Sequence, residues 1–346
     1  MAFRNITGLV FSLLFSVGIY ADELEINPQH PEQYTVVAGD TLWDISAKFL
    51  KSPWNWHKLW HGNPQIVNPD LIYPGDTLYF SMKNGRPSLR LSRSNEVKLH
   101  PNLRKSSLTD EIKTIPTDAI SQFLTSPKVL DSDELEQDPY IVDFKGEHIV
   151  AGSGEKIYVR TITQAETLDY TVYHKGQPYI SPETGEILGY EALYIANASL
   201  EREGDPATLT ITKVQQEIRL GDRLMPNSEK TSPLNYMPKA PDTFIRGNII
   251  NVLNGVSQIG KYNVVVLDKG LKDGIKIGNV LAIYHKGALV ADPYKMKDST
   301  VLVKLPNEVA GSLMVFRTFA KVSYALVMEA NQAIHVLDKV QSPEDY

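Results

Sequence analysis

The stretch Tyr34–Ile45, YTVVAGDTLWDI, has the composition of a strand that turns sharply into a helix. Its first residues are strand formers, and Gly39 permits a tight backbone turn. Asp40 or Thr41 can then accept hydrogen bonds from the first free amides of a helix. The pattern predicts a helix over Leu42–Leu50, which raises the question of what so sharp a turn holds.

A second helix and a second strand follow closely. The segment Ser52–Ile66, SPWNWHKLWHGNPQI, places Trp56, Leu59 and Trp60 at the i, i+3, i+4 spacing of an apolar helix face. The next segment, Leu71–Phe80 or LIYPGDTLYF, has a Pro-Gly turn before a short run of strand formers. The predicted order is therefore strand, helix, helix, strand.

The chain has four tryptophans, and all of them lie in this segment: Trp43, Trp54, Trp56 and Trp60. A small domain has little core, so large aromatic side chains supply much of the burial that it can achieve. Tryptophans beside Asn and Asp can instead form a platform on which sugars stack. We expect Trp43 and Trp60 in the core, and leave Trp54 and Trp56 open between core and platform.

Residues 34–80 resemble the LysM domain. Three segments carry the resemblance, in order along the chain: YTVVAGDTLWDIS, WNWHKLWHGNPQI and NPDLIYPGDTLYF. The resemblance implies a βααβ fold, with both helices on one side of a two-stranded antiparallel sheet. It also implies binding of glycans that contain N-acetylglucosamine, here peptidoglycan, in a shallow groove between two loops. On this sequence the two loops comprise Gly39, Asp40, Thr41 and Leu42 on one side, and Pro69, Asp70, Leu71, Ile72 and Tyr73 on the other.

Simple chemistry is compatible with such a groove. Backbone amides in a glycine turn can donate hydrogen bonds to an N-acetyl carbonyl, while Leu42, Ile72 or Tyr73 contacts the methyl group. For Asp40, a purely structural role in capping the helix is the alternative. Shallow sites bind weakly, so we expect useful affinity to come from many copies of the glycan in a polymer.

The composition of the 346-residue chain excludes several classes of protein. The net charge is −6, so no global positive field favours nucleic acid as a partner. The absence of cysteine excludes disulfides, thiolate zinc sites and cysteine nucleophiles.

His57 and His61 have the i, i+4 spacing of zinc ligands on a helix, but no Glu follows the first histidine and no third ligand is evident nearby. We expect neither a metal nor another cofactor.

The N-terminal sequence MAFRNITGLVFSLLFSVGIYADELEI has the features of an export signal. Arg4 provides a short positive start, Ile6–Tyr20 is apolar, and Ala21 precedes the acidic Asp22. We predict a signal peptide at residues 1–21 and a mature protein in the periplasm, with an uncleaved anchor as the alternative.

The remaining sequence divides into a linker and a strand-rich region. Residues 81–116 are rich in Ser, Asn, Lys and Arg, and we predict a flexible basic linker. We then predict a β-rich domain at residues 117–242 and a second, of SH3-like barrel character, at residues 243–346. The whole chain would thus be an α+β protein with a mostly-β C-terminal region.

Two parts of the β-rich region share sequence. Tyr-His-Lys-Gly occurs at 173–176 and again at 284–287, and EIRLGDRL at 217–224 parallels AIHVLDKV at 333–340. Chance recurrence of a short tetrapeptide is one reading. Because several segments match in the same order, we interpret the region as two related units with one insertion.

The sequence lacks the motifs of common cell-wall enzymes. No two histidines are separated by a single residue, and a Ser-x-x-Lys match at 153–156 has none of the accompanying motifs of penicillin-binding enzymes. No P-loop or Rossmann glycine pattern indicates a nucleotide. We expect no catalytic residues and no enzyme, although the 41 acidic residues leave a pair of carboxylates for glycoside hydrolysis open as an alternative.

Four further stretches are similar to the LysM-containing, secretin-associated proteins of type IV pili, whose β region is similar to the C-terminal domain of a flagellar basal-body protein. They lie at 181–200, 204–226, 268–287 and 305–330. The similarity implies a periplasmic protein, as an oligomer around a ring, that anchors an outer-membrane secretin to peptidoglycan. The alternatives are a peptidoglycan-binding scaffold or regulator of wall enzymes or of another envelope machine, and, as the third choice, a peptidoglycan hydrolase.

Overall fold

The structure is a computed structural model. It describes residues 24–60, 72–83, 85–92, 113–125, 128–130, 137–146, 150–165, 167–227, 236–253, 258–292 and 302–343. The predicted signal peptide and the middle of the predicted linker lie outside these residues. The longest described helix has nine residues, so none of the described helices has the length of a membrane span.

The N-terminal module combines a small sheet with two short helices. Its strands pair in the order β1-β2-β3, and the helices bury an apolar face against them. Helix α1 begins as predicted, because Thr41 Oγ1 accepts a hydrogen bond of 3.1 Å from the amide of Asp44. The elements are β1 (Gln33–Thr35), α1 (Leu42–Phe49), a 3-10 turn (Pro53–Asn55), α2 (Trp56–Leu59), β2 (Thr77–Lys83) and β3 (Arg86–Ser92).

Strand β3 differs from the prediction in two respects. It lies inside the range predicted as a flexible linker, and it makes the sheet three-stranded where the resemblance implied two strands. The physical reason is the alternation along the strand. Leu89 is buried and Leu91 half-buried against the module core, while Arg90 between them is exposed. Arg86 and Arg90, two of the basic residues that suggested a linker, are solvent-facing side chains of this strand.

A short helix precedes the first barrel along the chain, and its apolar side chains do not belong to the interior of that barrel. The strands of the barrel run in the order β4-β8-β7-β10-β5-β6-β9, and additional pairing between β8 and β9 closes six of them into a ring. Ile157, Val172 and Leu209 are among the side chains that fill its interior. The elements are α3 (Thr117–Thr125), β4 (Lys128–Leu130), β5 (Tyr140–Phe144), β6 (Lys156–Arg160), β7 (Asp169–Ile180), β8 (Ile187–Arg202), β9 (Ala207–Val214) and β10 (Arg223–Pro226).

The second barrel is closed in the order β11-β12-β17-β16-β13-β18. Val265, Leu281 and Val327 are among its interior side chains, and a separate exposed hairpin, β14 with β15, is inserted between two of its strands. The elements are β11 (Arg246–Val252), β12 (Val264–Leu267), a 3-10 turn (Leu271–Asp273), β13 (Val280–His285), β14 (Leu289–Ala291), β15 (Leu302–Lys304), β16 (Glu308–Thr318), β17 (Ser323–Ala330) and β18 (Lys339–Gln341).

The two barrels have the same topology. Around the ring, β5-β6-β9-β8-β7-β10 in the first corresponds to β11-β12-β17-β16-β13-β18 in the second. The repeated tetrapeptide begins in β7 of the first barrel and in β13 of the second, which are corresponding strands. The predicted pair of related units with barrel character is therefore confirmed, as is the mostly-β fold class with its small helical domain.

The outer faces of the two barrels differ in chemistry. In the second barrel Val264 lies opposite Leu326, and both are fully buried. At the corresponding place in the first barrel Lys156 lies opposite Thr210, and both contact the carboxylate of Glu201 at the surface. One outer face is therefore apolar and must be covered, whereas the other is polar and faces water.

The apolar face of the second barrel is covered by three other parts of the chain. They are α1 of the N-terminal module, the helix α3, and the far end of the β7–β8 hairpin. Arg317 Nη1 also donates a hydrogen bond of 2.9 Å to the carbonyl of Phe123, which fixes the end of α3. The covering side chains are Trp43, Ile115, Ile120, Phe123, Tyr179 and Leu188.

Polar contacts hold the N-terminal module at this face. Lys261 Nζ lies 3.0 Å from Asp44 Oδ1, and the hydroxyl of Tyr262 donates to the same oxygen at 3.3 Å. Burial alone would raise the pKa of Asp44, but hydrogen bonds from Thr41, Lys261 and Tyr262 and the charge of Lys261 outweigh it, and the pKa is lowered. Glu329 at the same interface has a raised pKa, mainly because it is buried.

We predict that Leu326→Thr, which copies the first barrel's residue into the second, destabilises the protein by about 3 kcal/mol or more. It removes buried methyl groups and leaves a hydroxyl in an apolar site. Chemical denaturation followed by tryptophan fluorescence measures the effect. The matched exchange Thr210→Leu should change the unfolding midpoint little. Equal effects of the two variants would contradict the assignment of the faces.

We also predict that Asp44→Asn loosens the module and changes the acid sensitivity of the protein. Because the folded pKa of Asp44 is lowered from its ordinary 3.8, the carboxylate stabilises the fold above about pH 4, and this contribution is lost as the pH falls through the lowered value. The difference in unfolding free energy between wild type and variant should therefore be largest near pH 7 and shrink towards zero below pH 4. Glu25→Gln, at an exposed ion pair with Lys51, is the control. A difference that does not change with pH would contradict the role of Asp44.

Candidate carbohydrate-binding site

The turn before α1 is closed by the side chain of Asp40. Its Oδ2 accepts hydrogen bonds from the amide of Val37 at 2.9 Å and from the hydroxyl of Tyr34 at 2.8 Å. Gly39 has a φ of +94°, a conformation that strongly favours glycine. Burial and the hydrogen bond to Asp40 raise the pKa of Tyr34 to about 12, so this hydroxyl keeps its proton in the physiological range.

Thr41, and not Asp40, caps the helix. Its hydroxyl accepts from the amide of Asp44 and donates to the Asp44 carboxylate at 2.7 Å. Of the two residues that the sequence suggested for the cap, the structure therefore assigns Thr41 to the helix and Asp40 to the turn. Both side chains make hydrogen bonds within the protein, so the exposed part of this turn is its backbone together with the side chain of Val37.

The second loop repeats the first. Asp76 Oδ2 accepts a hydrogen bond of 3.1 Å from the amide of Tyr73, and Gly75 has a φ of +97°. Both turns end in the sequence Gly-Asp-Thr-Leu, at 39–42 and 75–78. Val36 joins them, since its amide donates to the Asp76 carbonyl at 2.9 Å and its carbonyl accepts from the Gly75 amide at 2.8 Å. The turn at Gly75 therefore lies beside the end of β1, which leads into the turn at Gly39.

The predicted site residues have different surroundings. Leu42 and Ile72 are 2% and 0% exposed and belong to the module core, so their side chains do not reach a ligand on the surface. Thr41 is also buried. Gly39 is exposed, while Asp40 and Tyr73 are half-buried. Pro69, Asp70 and Leu71 lie outside the described residues.

Among the predicted contacts for an N-acetyl methyl group, Tyr73 is thus the one whose side chain reaches the surface. Leu42 and Ile72 instead fix the backbone of the two loops from beneath. The sequence could not separate these roles, because an apolar residue beside a glycine turn fits both a binding surface and a core.

The first amides of α1 are already used within the protein. The amide of Leu42 donates to the carbonyl of Lys113 at 2.9 Å, and the amide of Trp43 donates to the carbonyl of Thr114 at 3.2 Å. A glycan at this loop would therefore meet the glycine turn rather than the helix terminus. No local signal in the sequence indicated this contact, since Lys113 and Thr114 lie far along the chain from α1, near the end of the predicted linker.

The tryptophans are mainly structural. Trp43 and Trp56 are 1% and 4% exposed. Trp54 is half-buried and packs near Trp43, with 6.3 Å between ring centroids, and Trp60 packs against the module core. Trp60 agrees with the expected core role, whereas Trp43 is buried against the second barrel and not in the module's own core. The two residues left open divide between full and partial burial.

His57 of the helical histidine pair is exposed, and His61 lies outside the described residues. The expectation that this pair binds no zinc therefore stays a prediction.

Comparison with known proteins agrees with this geometry. Residues 34–81 match the LysM domain family. In a search of curated proteins, none matches the chain. LysM is a binding module for N-acetylglucosamine-containing glycans such as peptidoglycan, and it has no catalytic role. The chain therefore contains a LysM domain, docked through its first helix on the second of two related β-barrels.

Proposed function

We propose that this protein is a non-catalytic, periplasmic peptidoglycan-binding protein that anchors an outer-membrane secretin ring of a type IV pilus to the cell wall. The LysM domain at residues 34–81 carries the first part of the proposal. The second part is supported by the four stretches similar to secretin-associated pilus proteins, which lie in the two barrels or in the hairpins and turns attached to them.

The docked position of the LysM domain suits an anchor. Its helix α1 is packed on the second barrel through Trp43 and held by Lys261 and Tyr262. A force applied to the barrels therefore reaches the wall-binding loops through a packed interface and not only through the connecting chain. Each shallow loop pair binds weakly, and several copies around a ring would raise the total affinity for a polymeric wall.

The wall-binding part is tested by sedimentation with purified sacculi. We predict that Tyr73→Ala lowers the bound fraction, with an apparent affinity at least about fivefold weaker, because an aromatic contact is worth about 1 kcal/mol or more. Tyr79→Ala is the matched control, since Tyr79 is an exposed tyrosine of β2 in the same module. Sedimentation that is absent in the wild type would contradict the proposal. Released muropeptides would show a hydrolase instead.

The anchoring part is tested in the same variants. After mild cross-linking of cells, the secretin should be recovered with the wild type, with Tyr73→Ala and with Tyr79→Ala alike, because the barrels and not the LysM loops contact it. Recovery of wall enzymes or another envelope complex in place of the secretin would favour the regulator alternative and contradict the anchor.

A further inference from the structure

A histidine and an aspartate recur at corresponding positions of the two barrels. In the first barrel His174 Nδ1 lies 2.7 Å from Asp222 Oδ1, and the amide of Arg219 donates to Asp222 Oδ2 at 2.8 Å. In the second barrel the pair is His285 and Asp338, at 3.2 Å. The carboxylate thus links a barrel strand to the turn before the last strand of each barrel.

The two barrels differ at one further position of this cluster. The amide that binds the aspartate belongs to Arg219 in the first barrel and to His335 in the second, where it donates to Asp338 at 2.8 Å. Arg219 directs its guanidinium to Glu217, 3.5 Å away. In the parallel segment of the second barrel the residue corresponding to Glu217 is Ala333, so the ion pair is lost and a second imidazole is present.

The three side chains of the second barrel form a compact group. Their ligand atoms all lie within 4.8 Å of one another. The rings of His285 and His335 have centroids 5.6 Å apart, and His335 Nδ1 is 4.0 Å from Asp338 Oδ2. Asp338 is only 4% exposed and is fixed by the His335 amide, whereas both imidazoles are half-exposed and can adjust.

We propose that His285, His335 and Asp338 bind a divalent transition-metal ion such as Zn²⁺. Two imidazoles and a carboxylate are ligands that zinc accepts, and at bond lengths of about 2.0–2.2 Å the ligand atoms of a tetrahedral site lie about 3.3 Å apart. His285 and Asp338 already have this separation, and the other pairs of ligand atoms, which lie within 4.8 Å of one another, must close by about 1.5 Å or less.

The fourth coordination position is left to water or to a group from a partner. Glu308 lies opposite His285 on β16, but its carboxylate accepts a hydrogen bond of 3.2 Å from Gln332 Nε2. Bound metal would join β13 to the turn before β18. It would therefore stabilise the second barrel and not the first.

Isothermal titration of EDTA-treated full-length protein with ZnCl₂ tests the site, with Co²⁺ absorption as a second measurement of coordination. We expect one ion per chain, and Zn²⁺ should raise the melting temperature. His335→Arg, which restores the residue of the first barrel, should weaken binding by more than about 100-fold, since even an outer-shell partner contributes 10–100-fold. His57→Gln, in the N-terminal module, should leave binding unchanged.

A gain of binding gives the matched control. The double variant Glu217→Ala, Arg219→His gives the first barrel the residues of the second, and we expect it to bind two ions per chain. Both substitutions introduce residues that stand at the corresponding positions of the second barrel, so we expect the variant to fold. Circular dichroism checks that it does. Absence of Zn²⁺ binding in the wild type, or binding unaffected by His335→Arg, would overturn the proposal.

Discussion

The apolar outer face of the second barrel is the constraint on which the arrangement of the chain depends. Closing a barrel buries one side of every strand, but here the opposite side of β12, β16 and β17 is apolar as well. Such a surface is costly in water and must be covered. The first barrel, built on the same topology, has lysine, threonine and glutamate at the corresponding places and needs no cover. The second barrel therefore acts as the hub to which the LysM domain, α3 and the β7–β8 hairpin attach.

This hub defines how the carbohydrate loops are presented. The helix that follows the first loop also inserts Trp43 into the hub. The proposed wall-binding loop is therefore joined directly to the docking helix, which has three turns or fewer. The Lys113–Thr114 segment satisfies the first amides of that helix. For the proposed glycan contact this leaves the exposed glycine turn with Val37, and Tyr73. The residues proposed to bind glycan and the residues that dock on the second barrel are thus only a few positions apart, but they are different side chains.

Local features of the fold could be predicted from the sequence, and long-range features could not. A helix cap at Asp40 or Thr41 follows from short-range turn chemistry, and the two related barrels follow from repeated segments; the structure assigns the cap to Thr41. The strand β3 was missed because its arginines suggested a linker, although Leu89 and Leu91 alternate with them. The burial of Leu42 and Ile72 and the contact of α1 with Lys113 depend on which surfaces meet. Periodicity does not encode that information, because an apolar face looks the same whether it covers a core or another domain.

The central claim is that the LysM domain and the second barrel move as one body. Because the chain has no cysteine, spin labels attach only at cysteines that are introduced. Two exposed positions are suitable, Lys48→Cys on α1 and Arg246→Cys on β11. Pulsed electron paramagnetic resonance then measures the distance between them. We expect a single narrow distance distribution for the protein that carries only these two substitutions. A broad distribution, as expected for a LysM domain on a flexible tether, would contradict it.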